Sequence, residues 1–277
     1  MRRAETSVRD VAEVCNLRCV ACVPRGGYKP PLHLMLGIAA LAGPVLADEP
    51  KKVPAGITAI EPASLVSGST ATLKIRGFKL KDTTEVRFPK APGVKAVIKE
   101  KKDAAQPAGL ENKVVGESQV LAELVLPADL PAGLLEYVIA TPAGEASGKV
   151  PVLAPANAVD EKEPNNGFRE TQKLEPGKSV RGSFQGDKDV DVYEFSAKAG
   201  QKLRVSVTGG STLLMDAALS CYDARGHVLA MADDGEGRDP SLTLIAGADG
   251  PVFLCVSDAH DKGGEWHSYL LTVEEAK

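Results

Sequence analysis

Residues 182–207 read GSFQGDKDVDVYEFSAKAGQKLRVSV, and the reading of this stretch decides the fold. Tyr193 and Phe195 alternate with Val192 and Glu194, the two-residue period of a β-strand with one face in a core, so Glu194 is expected to face water. Just upstream, Asp187, Asp189 and Asp191 fall at alternate positions. They lie along one side of an extended segment, or around a turn if Gly186 begins one. A second group of oxygen-bearing side chains, Glu161, Glu163, Asn165 and Asn166, sits in EKEPNN at 161–166. Calcium takes six to eight such oxygens, and carboxylates crowded together without a cation repel one another. The competing reading is turn chemistry, in which Asp and Asn side chains bond nearby backbone amides.

The rest of the chain repeats the strand pattern. Its 27 glycines and 19 prolines separate short runs rich in Val, Leu and Thr, and no long helical period is visible beyond the first fifty residues. The fold class expected is therefore all-β. At 277 residues, less a leader described below, enough chain remains for two ordinary domains. A formal net charge of −4 gives no electrostatic basis for nucleic-acid binding. APANAVD, residues 154–160, reads as a linker between the two.

Ahead of that linker, Ala71, Leu73 and Ile75 alternate with Thr72, Lys74 and Arg76, which puts the second set on the solvent face. Gly68 and Gly77 bracket this strand, and residues 119–153 continue as strand, turn, strand, turn, strand. Ile60-x-Pro62, Gly68, Leu73-x-Ile75-x-Gly77-Phe78, Val86-x-Phe88, Pro127, Gly133, Tyr137-x-Ile139 and Gly144 together resemble the IPT/TIG immunoglobulin-like family over residues 53–153. The resemblance implies an immunoglobulin-like sandwich. Residues 90–118 are longer and more charged than that module needs, and KEKK at 99–102 is expected as the exposed, mobile tip of a hairpin or loop.

Residues 161–273 resemble the bacterial pre-peptidase C-terminal domain, a sandwich found at the ends of secreted peptidases. The resemblance rests on EKEPNN, on the Gly-x-x-x-x-Asp-x-Asp-x-Asp-x-Tyr-x-Phe pattern of residues 182–195, on AGQKLRVSV, on LLMDAALSCYDARGHVLAMADDG at 213–235, and on GADGPVFLCVSDA and GGEWHSYLLTV. It implies a jelly-roll-like sandwich over 161–277, bound to calcium in some members through the leading acidic segment and the aspartates before the Tyr. Carried over by position, the metal ligands implied are Glu161, Glu163, Asn165, Asn166, Asp189 and Asp191, with Asp187 next. Asp216, Asp233 and Asp234 are expected as turn residues, and DARG at 223–226 as a hairpin turn.

Residues 31–50, PLHLMLGIAALAGPVLADEP, follow Arg25 and Lys29 with an apolar run and a small-residue cleavage site after Ala47, the three-part pattern of a secretory signal. Residues 1–47 are read as this signal with an N-terminal extension, and the mature chain is expected to carry no membrane span. Upstream, CNLRCVAC at 15–22 resembles the cluster-binding loop of radical S-adenosylmethionine enzymes, in which three thiolates hold three irons of a cluster. Placement before an export signal argues against that reading.

Export allows a disulfide, yet Cys221 shares a face with Leu219 while Cys255 lies opposite Leu254 and Val256, so both a bridge and two separate small strand residues stay open. His227, His260 and His267 belong to no zinc motif and read as surface-loop histidines, and no G-x-S-x-G elbow is present. The function expected is that of an exported, non-enzymatic binding protein, periplasmic, cell-surface or extracellular. Its partner would be a protein or polysaccharide, and calcium would rigidify the second domain. The alternative is an accessory subunit of a separately encoded secreted hydrolase.

Overall fold

The computed structural model describes residues 54–276 apart from 176, 212 and 236. The expected leader, residues 1–47, and Cys15, Cys19 and Cys22 within it lie outside the described residues. The protein is all-β, with β-sandwich architecture.

The first half contains β1 (Gly56–Glu61), β2 (Leu65–Val66), β3 (Thr70–Phe78), β4 (Glu85–Arg87), β5 (Lys95–Asp103), a single helical turn α1 (Asn112–Val115), β6 (Ser118–Val125), β7 (Gly133–Thr141) and β8 (Gly144–Leu153). These strands form two four-stranded sheets, ordered β1-β3-β6-β5 and β2-β8-β7-β4. Leu73 and Ile75 on β3 meet Val120, Ala122 and Leu124 on β6 and Tyr137 and Ile139 on β7 in one core. The period-two pattern thus does what it predicts, with each large side chain removed from water adding roughly 1.5–3 kcal/mol.

The second half contains β9 (Ala158–Asp160), β10 (Gln172–Leu174), β11 (Ser179–Ser183), β12 (Val190–Ala197), β13 (Lys202–Gly209), β14 (Ala217–Tyr222), β15 (Val228–Ala232), β16 (Ser241–Ile245), β17 (Gly250–Asp258) and β18 (Ser268–Glu275). Two five-stranded sheets, β10-β12-β17-β14-β15 and β16-β13-β18-β11-β9, close over Tyr193, Phe195, Leu203, Val205, Leu219, Cys221, Leu254 and Leu271. Segment 154–160, read as linker, supplies β9, which pairs in parallel with β11.

Two expectations need amending. KEKK is not a loop tip: Lys99–Lys102 belong to β5, paired with β6 at a sheet edge. A row of charged side chains on an edge strand discourages pairing with another chain, so the charge that suggested a loop has an equally good use in a strand. Arg76, placed on the solvent face by alternation, is buried at 2% exposure because the α1 turn of its own sandwich and Trp266 of the second cover that face.

The sandwiches meet directly. Ile60 N–H donates to Gly210 O at 2.8 Å, and Ala63 N–H donates to Ser268 Oγ at 2.9 Å. Ser211 Oγ donates to Thr58 O at 2.9 Å. Between these bonds, Ala59, Val115, Leu214 and Trp266 form a small apolar cluster separate from both main cores.

Each sandwich also lays a tyrosine ring over a glycine directly opposite on the neighbouring strand, Tyr137 on Gly148 and Tyr269 on Gly182. A Cβ at Gly182 would stand 2.4 Å from the Tyr269 ring. Gly182→Ala is therefore expected to cost about 1–3 kcal/mol through overpacking, read as a lower urea midpoint at unchanged slope. Gly247→Ala, with nothing within 4 Å of the added carbon, is the control and should fall within about 0.5 kcal/mol of the parent.

Candidate metal centre

The centre is built where β12 begins. Asp189 N–H donates to Gly186 O at 3.3 Å, so residues 186–189 make the turn rather than the extended segment, and β12 starts at Val190. Asp191 then points inward with Tyr193, both at 0% exposure. The segment 161–166 runs alongside, tied on by Val192 N–H donating to Asn165 O at 2.8 Å. These two attachments bring Glu163, Asp189 and Asp191 together, with one carboxylate oxygen from each lying within 4.8 Å of the others.

The seven sequence-predicted ligands are not equivalent. Asn165 is fully buried; its Nδ2 donates to Glu161 Oε1 at 3.2 Å, while its Oδ1 has no partner. Asp191 Oδ2 accepts from Tyr269 OH at 2.6 Å, while its Oδ1 is buried and has no partner. With its amide oriented to suit its neighbours, Asn166 donates to Asp189 Oδ1 at 2.9 Å and Val190 O at 3.3 Å. Glu161 is engaged behind the cluster, its Oε1 accepting from Tyr193 OH at 2.7 Å and its Oε2 from Ser183 N–H at 2.9 Å. Asp187 turns away to pair with Lys262 at 3.2 Å.

Burial pushes the Asp191 carboxyl up to about 8, and the negative charges of Glu161 and Asp189 add to that displacement. Burial likewise drives the Tyr193 and Tyr269 hydroxyls far above the ordinary phenol range, so both stay protonated donors to the carboxylates. Leaving a buried carboxylate oxygen unbonded is costly, and Asp191 Oδ1 is such an atom, as is the amide oxygen Oδ1 of Asn165 on the segment tied to β12. A hard cation held there would supply what both lack. The tyrosine pair had no distinguishing signal in the sequence, since an inward Tyr on a strand reads simply as core.

The other residues singled out fall into structural roles. Asp223 Oδ1 accepts from the Arg225 and His227 amides at 2.8 and 2.9 Å, as the DARG turn predicts. Asp216 pairs with Arg238 at 2.6 Å and lies 3.3 Å from His260. His227 and His260 are exposed, but His267 is not a surface histidine: both its ring nitrogens are buried and lack partners. Cys221 and Cys255 are free; Cys221 pairs in register with Leu254 and Cys255 with Ser220, so their side chains leave opposite faces of the sheet. Burial raises the two thiols to about 12 and about 11, which keeps them inert.

Residues 189–258 match the bacterial pre-peptidase C-terminal domain. Over 111 residues the chain is 36% identical to a probable subtilase-type serine protease of Deinococcus radiodurans, a match covering 38% of this chain and 15% of that relative. The pre-peptidase C-terminal domain of collagenase from Bacillus anthracis overlaps 41% of this chain and 100% of its own, at 18% identity and a TM-score of 0.32. SGBP-B from the mixed-linkage glucan utilization locus of Bacteroides ovatus, solved in complex with a mixed-linkage heptasaccharide, overlaps 82% of this chain and 75% of its own, at 11% identity and a TM-score of 0.25. Similarity as loose as these two overlaps does not extend to function. Among the described residues, no helix is long and apolar enough to cross a membrane.

Proposed function

We propose that the protein is an exported, non-enzymatic binding protein whose second sandwich takes one calcium ion at the head of β12. The supporting observation is the pair of orphaned buried oxygens, Asp191 Oδ1 and Asn165 Oδ1, beside Glu163 and Asp189. Glu163, Asp189 and Asp191 are the ligands proposed, joined by Asn165 and by Asn166 once its amide turns its oxygen inward. Glu161 serves as a supporting acceptor for Tyr193, and Asp187 stays with Lys262. The cation would fasten segment 161–166 to the sandwich and so hold the junction between the halves in one arrangement. The first sandwich is read as IPT/TIG-like, and the partner as a periplasmic or extracellular protein or polysaccharide.

Calorimetric titration of chelator-stripped protein tests the metal. One calcium per chain is expected, with Asp189→Asn weakening it by at least about tenfold, near 1.4 kcal/mol. Asp187→Asn should leave the affinity unchanged. Absence of stoichiometric calcium uptake would return these residues to turn chemistry.

A second reading, an accessory subunit of a separately encoded secreted hydrolase, is favoured by the similarity to a subtilase-type protease that the chain spans by only 15%. Reciprocal co-purification of one hydrolase with this chain from the producing cells, at fixed stoichiometry, separates it from free ligand binding.

A further inference from the structure

The seam between the sandwiches encloses a cavity of about 330 Å³ that nothing described so far uses. Trp266, Leu110 and Leu214 give it an apolar lining and Arg76 a cationic one, and the carboxylates of Glu265 and Asp187 also border it. A cavity at a junction, mostly apolar with a few converging polar groups, is the usual form of a small-molecule site, and this volume lies at the small end of that range.

The polar groups carry an unmet demand. Arg76 is 2% exposed, and its guanidinium bonds only neutral acceptors: Nε donates to Val115 O at 3.1 Å, and Nη2 donates to Asn112 Oδ1 at 2.8 Å and Gly116 O at 3.0 Å. Its plane lies 6.0 Å from the Trp266 ring, which offers a weak attraction but no counter-charge. Among the described residues Arg76 makes no ion pair. Glu265 acts on it from beyond contact distance and is itself 3.1 Å from Lys74, and Asp187 is held by Lys262. Buried charges are ordinarily paired.

His267 also lines the chamber, but its ring nitrogens are closed off from it, and the Gly264 and Leu214 backbones bear on them. A guanidinium bonded to neutral acceptors and without a counter-charge therefore borders the chamber.

We propose that this chamber binds a small amphipathic carboxylate, its aryl or alkyl body against Trp266, Leu110 and Leu214 and its carboxylate against Arg76. An anion there completes the Arg76 charge, and the planar guanidinium suits a carboxylate better than a point acceptor. The site is assembled from both sandwiches, so its occupancy also reports that they are docked.

Trp266 is the single tryptophan of the chain and forms a wall of the chamber, so its fluorescence reads the site directly. The full chain would be titrated with phenylacetate, then with phenylacetamide as the neutral isostere and phenethylamine as the cation. A saturable change with phenylacetate is expected, at least about tenfold weaker with the amide and absent with the amine. Arg76→Met should abolish the preference for acid over amide. Equal response to acid and amide, or no saturable change with phenylacetate, 4-phenylbutyrate or octanoate up to 10 mM, about the limit of weak binding, would overturn the proposal. Neither result depends on a substituted protein folding.

Discussion

Calcium at a hundred times its dissociation constant is expected to stabilise the second sandwich by about 2.7 kcal/mol, raising its thermal midpoint by several degrees over the chelated protein. The source of the gain is local. Without a cation, Asp191 lies among Glu161 and Asp189 at 0% exposure and keeps its proton, which is why its carboxyl sits near 8. Relative to an unfolded carboxyl near 3.9, the folded state binds the extra proton throughout the interval between the two values. Stability from that proton is fully present below about pH 4 and is lost as pH rises through about 8. Chelated protein should therefore weaken between pH 5 and pH 8, at up to about 1.4 kcal/mol per pH unit. Calcium replaces the proton and flattens the curve. Scanning calorimetry at several pH values, with calcium and with chelator, checks both the shift and its slope. Asp191→Asn should remove the pH slope and the calcium gain together. A calcium-independent midpoint at pH 8 would count against the site.

How much of this was legible in the sequence depends on whether a residue's role is set by its own strand or by a distant one. Leu73, Ile75, Tyr193 and Phe195 were readable because a two-residue period states which face is buried, and the Asp223 turn because an Asp bonds amides two and four residues away. The acidic cluster was readable as composition, but not the contacts each of its residues makes. Glu161 and Asp187 look like ligands by spacing; only the fold gives Glu161 to Tyr193 and Asp187 to Lys262, partners 32 and 75 residues away. Arg76 and His267 were misread for the same reason. A polar residue in the outward phase of a strand, or in a glycine-bearing loop, is solvent-facing by every local rule until a segment distant in sequence covers it. KEKK shows the reverse error: charge was taken to mean loop, although an edge strand needs charge as much.

Trp266→Ala is expected to cost about 3–5 kcal/mol and, more tellingly, to split the unfolding of the protein into two transitions. The two main cores share no residue, and apart from the bonds at Ile60, Ala63 and Ser211 and the Lys74–Glu265 ion pair the sandwiches are joined through Ala59, Val115, Leu214 and Trp266. Trp266 is the largest of these, 6% exposed, with Lys74 and Arg76 5.9 and 6.0 Å from its ring. Truncating it opens a void at the seam and leaves each core intact, so each half keeps its own stability while the coupling between them goes. Gly210→Ala approaches the same seam without touching either core. The added Cβ would stand 2.2 Å from Ile60 O, the acceptor-bearing backbone of β1, and must push the strands apart. Its cost is about 1–3 kcal/mol, with the same loss of coupling. Calcium provides the diagnostic, because the proposed site lies in the second sandwich alone. In the parent protein it should raise one joint midpoint, and in Trp266→Ala it should move one of two transitions and leave the other fixed. A parent protein that already shows two transitions, only one of them shifted by calcium, would mean that the seam holds the sandwiches together in space without linking their stabilities.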